Sequence, residues 1–433
     1  MDAVCGRAAR DGVPGVFGRG RRVVAAPGFC AVLLLFYALL IAVRIPNIWL
    51  KGRFWAEEGA VYFRNARLES WPDALFAVHT GYLNLSASIA GLLAARLVPL
   101  EAAPWISTGF ALVIQLLPAI LLMTSGISWL RDRWALGLAL LMLLIPHGSG
   151  EVWLNSITSQ FHLCLCVALI LASPLRGGSI GWLRAAIIVL APLSGPASTF
   201  LAPLFLLRAA IERSWGRAGQ GGLLAAMAAV QVLMVFLHPE PARGIGIGPR
   251  LLALVIYEKH VLLPLLGFDH ASRLTAGLID MVRGRQSLWP EMLAGVAASG
   301  LIATAVVTTR DAFSQWLLAA GALVMAMSYF GALGQHIDLL GISFGDRYAY
   351  VPSALFGLVV LALAHTGGLG TRRIATCVTL WIICIGMNDF MWVPPGFSDG
   401  STWSAEVARW RQDHAYNVEF WPNGWRWPIG DNP

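Results

Sequence analysis

Long apolar runs, broken by short polar stretches, repeat along nearly the whole chain. They fall at about 27–44, 81–98, 105–124, 134–148, 156–172, 182–193, 196–211, 221–238, 290–308, 312–330, 348–365 and 374–390. Most approach the ~17–25 residues that a helix needs to cross a ~30 Å hydrocarbon core. "PLSGP" at 192–196 splits the apolar region 182–211 into two short helices. Pro and Gly are tolerated there only where neighbours satisfy the freed backbone groups. Residues 250–268 are apolar but carry Glu258, Lys259 and His260. They read equally as a further crossing, a re-entrant segment or an interfacial helix. The pattern predicts an all-α, polytopic transmembrane bundle of about 11–13 helices. It divides into an N-terminal tail 1–26, a membrane domain 27–390 with a first loop at 45–80, and a C-terminal tail 391–433.

Composition narrows the class. The chain is 57% hydrophobic and 13% charged, against about 25% charged in soluble domains, and its mean hydropathy is +0.66. A soluble globular protein is excluded. The net charge is +7, with Lys only at 51 and 259. The arginines sit at the ends of apolar runs, as the positive-inside rule requires, so the charge does not point to nucleic acid. The 18 Trp suit an interfacial aromatic belt. The six cysteines lie in the N-terminal tail or in apolar runs, which argues against a disulfide framework. Arg7, Arg10, Arg19, Arg21 and Arg22 precede the first apolar run, and no small-residue cleavage site follows. This reads as an uncleaved signal anchor with a cytoplasmic N-terminus.

Sidedness follows from the arginines. Counting back from Arg372 and Arg373, the tail 391–433, the loops 331–347 and 239–289 and the segment 146–156 are extracytoplasmic. Counting forward, loop 45–80 is extracytoplasmic as well. The two counts differ by one crossing between about 80 and 131. The twelve runs would return the tail to the cytoplasm, so the sidedness demands an odd number, such as 13.

The candidate chemistry begins at "GRFWAEEGAVYF", residues 52–63, where Glu57 and Glu58 stand side by side just after the first apolar run. Acids at a membrane boundary are costly unless solvated, paired or metal-bound, and so mark a functional site by default. The plainer reading is a helix N-terminus that favours acids. "HTGYLNL" (79–85) brings His79 and Tyr82; "GEVWLNSITSQFH" (150–162) brings Asn155, Gln160 and His162; "FGDRYAYVPS" (344–353) brings Arg347 and Tyr348. Arg347 offers a planar fork suited to phosphate, or it pairs with Asp346 or snorkels. Asn155 and Ser156 also suit a helix cap, Tyr348 and Tyr350 a belt, and Glu258, Lys259 and His260 mutual pairing. Trp421, Trp425 and Trp427 suit either sugar stacking or the interface. No phosphate-binding glycine motif is present, which disfavours direct ATP-driven transport.

Taken together, "FWAEEG", "GYLNL", "WLNSITSQF", "RYAYVP" and the Trp-rich "WPNGW" resemble the GT-C superfamily of integral-membrane glycosyltransferases, over about 45–428. The resemblance implies transfer of a sugar from a polyprenyl-phosphate donor to a cell-envelope glycan or lipid on the outer side of a bacterial inner membrane. It implies that a first-loop acid, Glu58 or Glu57, acts as base or orients the acceptor. It also implies a divalent metal, Mg or Mn, on the same acids, although this chain has Glu-Glu where such enzymes carry at least one Asp. Arg347, His79, Tyr82, Asn155, Gln160, His162 and Tyr348 are the expected substrate-binding residues. The chemistry is self-consistent: inverting displacement needs a base on the acceptor hydroxyl and charge stabilisation of the departing phosphate. A transporter or flippase of lipid-linked sugars is the alternative, and a glycan polymerase would share the same physics.

Overall fold

The structure is a computed structural model that describes residues 27–147, 149–239, 248–284, 286–332, 337–341, 344–390, 396–398 and 400–429. The arginine-rich segment 1–26 lies outside the described residues.

Apolar runs become helices where their Pro and Gly breaks predict. In chain order these are α1 (Pro27–Arg44), α2 (Leu85–Leu97), α3 (Ala103–Met123), α4 (Arg133–Leu144), α5 (Ser159–Ala172), α6 (Gly178–Leu193), α7 (Ala202–Glu212) and α8 (Trp215–Leu237). They continue as α9 (Pro249–Tyr257), α10 (Leu263–Arg283), α11 (Trp289–Thr309), α12 (Ala312–Ala332), α13 (Asp346–Thr366), α14 (Leu369–Asn388) and α15 (Trp403–Gln412). Among the described residues, seven helices are long and apolar enough to cross a membrane, or eight if the bent pair at 178–212 is one span. The chain is an all-α, multi-pass membrane protein. Its outer face agrees: Leu35, Phe236, Leu301 and Ile374 are exposed. A large apolar surface of this kind is a liability in water and is matched in lipid.

α5 and α13 form the centre. Nearly every side chain of α5, from Phe161 to Ala172, is buried, and α13 is buried over most of its length. A helix apolar all round is stable only inside such a bundle.

The contacts define two ends. At one end, Trp129 stacks on His365 with centroids 5.1 Å apart, Arg184 donates to Pro174 O at 2.6 Å, and Arg208 and Arg217 donate to carbonyls at the end of α5. All these arginines gather there. At the other end, Arg44 donates to Leu144 O at 2.6 Å and Arg347 pairs with Glu151 at 3.2 Å.

The run at 81–98 does not cross. Its start is held inside the bundle, where Asn84 donates to Ile157 O at 3.0 Å and Gln231 donates to Leu83 O at 3.0 Å. Its far end returns to the loop end: Trp403 donates to Leu100 O at 2.8 Å, Arg411 pairs with Glu101 at 2.7 Å, and Trp105 donates to Trp49 O at 3.0 Å. α2 is therefore re-entrant. That takes one run from the twelve expected crossings. Hydropathy could not separate a re-entrant helix from a crossing, because both must present apolar side chains to their surroundings.

Two further segments are broken. α6 and the Pro196–Glu212 arm meet at 118°. α9, a π-helical turn at Glu258–Leu262, and α10 run on to a kink at Gly267, whose φ of 75° only glycine adopts without strain. Arg250 at one end donates to Gln286 O at 2.6 Å just beyond the other. This run therefore folds back on itself.

The first loop and the tail build one cap. Phe54, Phe63, Trp403, Val407 and Phe420 form a buried cluster. Trp421 N–H donates to Phe54 O at 3.0 Å, and Ala56 N–H donates to Trp421 O. Arg53 lies 3.6 Å from Glu406 and 3.4 Å from Glu419.

Candidate functional site

Beneath this cap lies a cavity of about 160 Å³. Glu57 and Tyr62 line it from the first loop, His79, Thr80 and Tyr82 from a β-hairpin (β1 Val78–His79, β2 Tyr82–Leu83), and Gln160 and Phe161 from the start of α5. Pro196, Ala197 and Phe200 come from the apex of the bent pair, and Arg347 and Tyr348 from the start of α13. Gly195 is required there, with φ at 151°, because a Cβ would strike the amide of Gln160.

Six of the residues expected from the sequence meet in this cavity: Glu57, His79, Tyr82, Gln160, Arg347 and Tyr348. Glu57 enters no ion pair among the described residues. Arg347 pairs with Glu151 and lies over the Tyr348 ring, 5.3 Å from its centroid. Asp346, its neighbour, instead faces Lys259 at 3.2 Å. His79 meets Tyr62 edge to face at 6.2 Å.

The other three lie elsewhere. Glu58 is 4% exposed. Its Oε1 accepts from Ser107 Oγ at 2.6 Å and from Ser156 N and Oγ at 2.8 and 2.7 Å. Its Oε2 accepts from Trp55 N at 3.1 Å. Burial pushes its pKa up, and these four hydrogen bonds oppose the shift. The carboxyl is held by donors from three segments and does not line the cavity. Asn155 is buried and caps its own loop, with Oδ1 accepting from Thr158 N at 3.0 Å. His162 is fully buried, joining Val152 O at 3.0 Å and Tyr350 OH at 3.1 Å.

The two glutamates thus point apart and cannot chelate one ion together. Among the described residues no group of three or more His, Cys, Asp or Glu could hold a metal. The donor set does not fit a two-acid metal site.

Lys259 is enclosed by Glu258, Asp346 and Gly341 O, and His260 by Ser353 and Tyr329. Lys259 and His260 are thus engaged within the protein, whereas the buried Glu258 carboxyl has Lys259 at 3.6 Å and no hydrogen bond. Trp421 is buried in the cap, whereas Trp427 is exposed.

Three features carry signals that the sequence reading passed over. Ala56, Thr80 and Leu154 hold positive φ of 43°, 51° and 59°. Left-handed backbone in non-glycine residues marks sites where surrounding structure enforces a conformation. All three lie in the segments that bring Glu57, His79 and Gln160 to the cavity. Glu58–Phe63 is π-helical, an irregularity frequent at functional sites. Glu151, inside the quoted "GEVWLN", supplies the counter-ion to Arg347.

No protein-family model, characterised protein or solved structure matches the chain.

Proposed function

We propose that the chain is a GT-C-type membrane glycosyltransferase that moves a sugar from a polyprenyl-phosphate donor to a cell-envelope glycan or lipid acceptor. One observation carries this reading: Glu57 and Arg347, a carboxylate and a guanidinium, line one cavity at the loop end of the bundle. The proposal includes a bacterial inner membrane, with the arginine-rich end cytoplasmic and the loop end extracytoplasmic.

In the reaction, Glu57 accepts the proton of the acceptor hydroxyl. The acceptor oxygen forms a bond to the anomeric carbon as the bond from that carbon to the phosphate oxygen breaks. The electron pair leaves with the phosphate, whose charge Arg347 meets on exchanging its Glu151 partner. Tyr82, Gln160 and His79 are placed to bind hydroxyls of the sugar or acceptor. The strained turn at Ala56 fixes the direction of Glu57, so the base need not reorganise during the step.

The test is transfer from a synthetic polyprenyl-phosphate sugar by the protein in nanodiscs. Glu57→Gln is expected to lose at least about 100-fold in rate while still binding donor. Arg347→Ala is expected to weaken donor binding about tenfold or more, as for one charged hydrogen bond. Wild-type transfer by Glu57→Gln removes the base assignment.

Transport of lipid-linked sugars is the second reading, favoured by the bent pair at 178–212 and the kink at Gly267, since transporters build their sites on discontinuous helices. Flipping with no new glycosidic bond in the same nanodiscs would select it.

A further inference from the structure

A second, larger cavity of about 830 Å³ lies on the opposite faces of α12 and α13 from the first. On α12, Leu318, Ala319 and Ala322 line it, whereas Met327, Ser328 and Gly331 line the first cavity. On α13, Ser353, Phe356 and Val360 line it, whereas Arg347 and Tyr348 line the first. At 3.6 residues per turn these sets face away from each other. The helix pair is therefore a wall between two compartments.

The second compartment is mostly apolar, with Gln315 and Thr371 at the end away from His147. Its lining on α14 runs from Thr371 to Ile382, which spans about 17 Å at the helical rise. That is close to one leaflet of a ~30 Å core. Its volume falls within the ~300–1,000 Å³ typical of small-molecule sites.

One end is polar. There His147, 7% exposed, lines the cavity. Its Nδ1 lies 2.8 Å from Asp389 Oδ2, and its Nε2 is buried without a partner. The other polar groups nearby are engaged within the protein. Lys259 donates to Gly341 O, Phe344 O and Asp346; His260 joins Ser353 and Tyr329; Ser299 donates to Gly295 O. Asp389 also accepts from Phe268 N–H at 2.7 Å. Burial raises the Asp389 pKa, but the hydrogen bonds from His147 and Phe268 outweigh it, so the group stays below the ordinary carboxylate range and ionised. Asp389 Oδ2 engages Nδ1, which leaves Nε2 as the ring nitrogen without a partner. A buried polar nitrogen without a partner is costly, and a ligand hydroxyl, which both donates and accepts, would satisfy it. The Asp389 charge alongside disfavours a phosphate in the same place.

We infer that this cavity is a binding site for one neutral long-chain lipid, whose chain lies along α14 and whose hydroxyl head hydrogen-bonds His147 Nε2. The site is separate from the Glu57 cavity and stands whether or not the chain transfers sugars. Asp389 acts here as a positioning residue, fixing the ring of His147.

The experiment uses the full chain in nanodiscs and a diazirine-bearing long-chain fatty alcohol, with cross-linked residues mapped by mass spectrometry. Labelling is expected on the 371–382 face of α14 and on α13 near Val360, saturating with probe. Val378→Trp, which fills the cavity, is expected to abolish it. His147→Phe, which keeps an aromatic ring and removes its polar nitrogens, is expected to lower probe affinity several-fold, with folding of both variants checked by melting temperature. Labelling that never saturates, or that Val378→Trp leaves unchanged, shows ordinary surrounding lipid and overturns the site. A matching alkyl phosphate that binds more tightly than the alcohol, or an unchanged affinity in His147→Phe, overturns the head-group assignment.

Discussion

Ser156 gives both its backbone N–H and its hydroxyl to a single oxygen of Glu58, at 2.8 and 2.7 Å. With Ser107 on the same oxygen at 2.6 Å, Glu58 ties the first loop to α3 and to the loop that precedes α5. Glu57, one residue earlier, faces the cavity.

The two glutamates should therefore fail differently when removed. Glu58→Ala leaves buried donors without an acceptor and opens a void, a loss of about 2–5 kcal/mol by analogy with buried truncations. Glu57→Ala should melt near the wild type and lose transfer. Melting temperatures of the detergent-purified variants, beside their transfer rates, decide this. Equal melting of both variants would refute the division of roles.

Glu151 competes with any anion for Arg347. The pair is partly exposed, with side-chain exposures of 38% and 32%, and pairs of that kind contribute about 0–1 kcal/mol. Glu151→Gln should thus leave stability near wild type and tighten binding of a polyprenyl phosphate by a few-fold. Titration of that lipid checks it; weakened binding would mean that Glu151 itself holds the ligand.

The cap should loosen in acid. Burial raises the Glu406 pKa, but hydrogen bonds from Ser401, Glu419 N–H and Tyr416 and the Arg53 charge outweigh it, leaving it below the ordinary 4.5. The folded value is the lower one, so this contribution is complete above 4.5 and is lost as the pH falls through the folded value. Limited proteolysis of the tail should accelerate over that window. Glu406→Gln should already be cleaved faster at neutral pH, with a flatter acid response.

The re-entrant path of α2 makes a labelling prediction. In a variant lacking the native cysteines, Pro99→Cys and Asn423→Cys should react with an impermeant maleimide from one side of the membrane, and Arg131→Cys only from the other. Labelling of Pro99→Cys on the Arg131 side would restore the crossing at 81–98.

Much of the fold was legible because its signals are local. The expected run at 290–308 is the helix Trp289–Thr309, and that at 312–330 is Ala312–Ala332. Pro192 and Gly195 announced the break that the bent pair shows. What failed was local too: α2 has the composition of a crossing, and only its contacts with Trp403, Arg411 and Trp49 reveal where it ends. The pair Glu57 and Glu58 could not be ranked from the sequence. About 100° separates neighbours on a helix, but which direction holds Ser107 and Ser156 depends on segments far away in the chain.

By itself the sequence determined that this chain lives in a membrane, which segments are helical, and which few polar residues had to be explained there. Those properties follow from the length of apolar runs and the cost of burying charge, and both can be read residue by residue. Tertiary structure alone decided which acid faces a cavity, that Arg347 pairs with Glu151 rather than Asp346, that the tail roofs the first loop, and that His147 meets Asp389 beside a second cavity. Each of these joins groups distant in sequence, and such pairings are set by how helices pack, which no local pattern encodes.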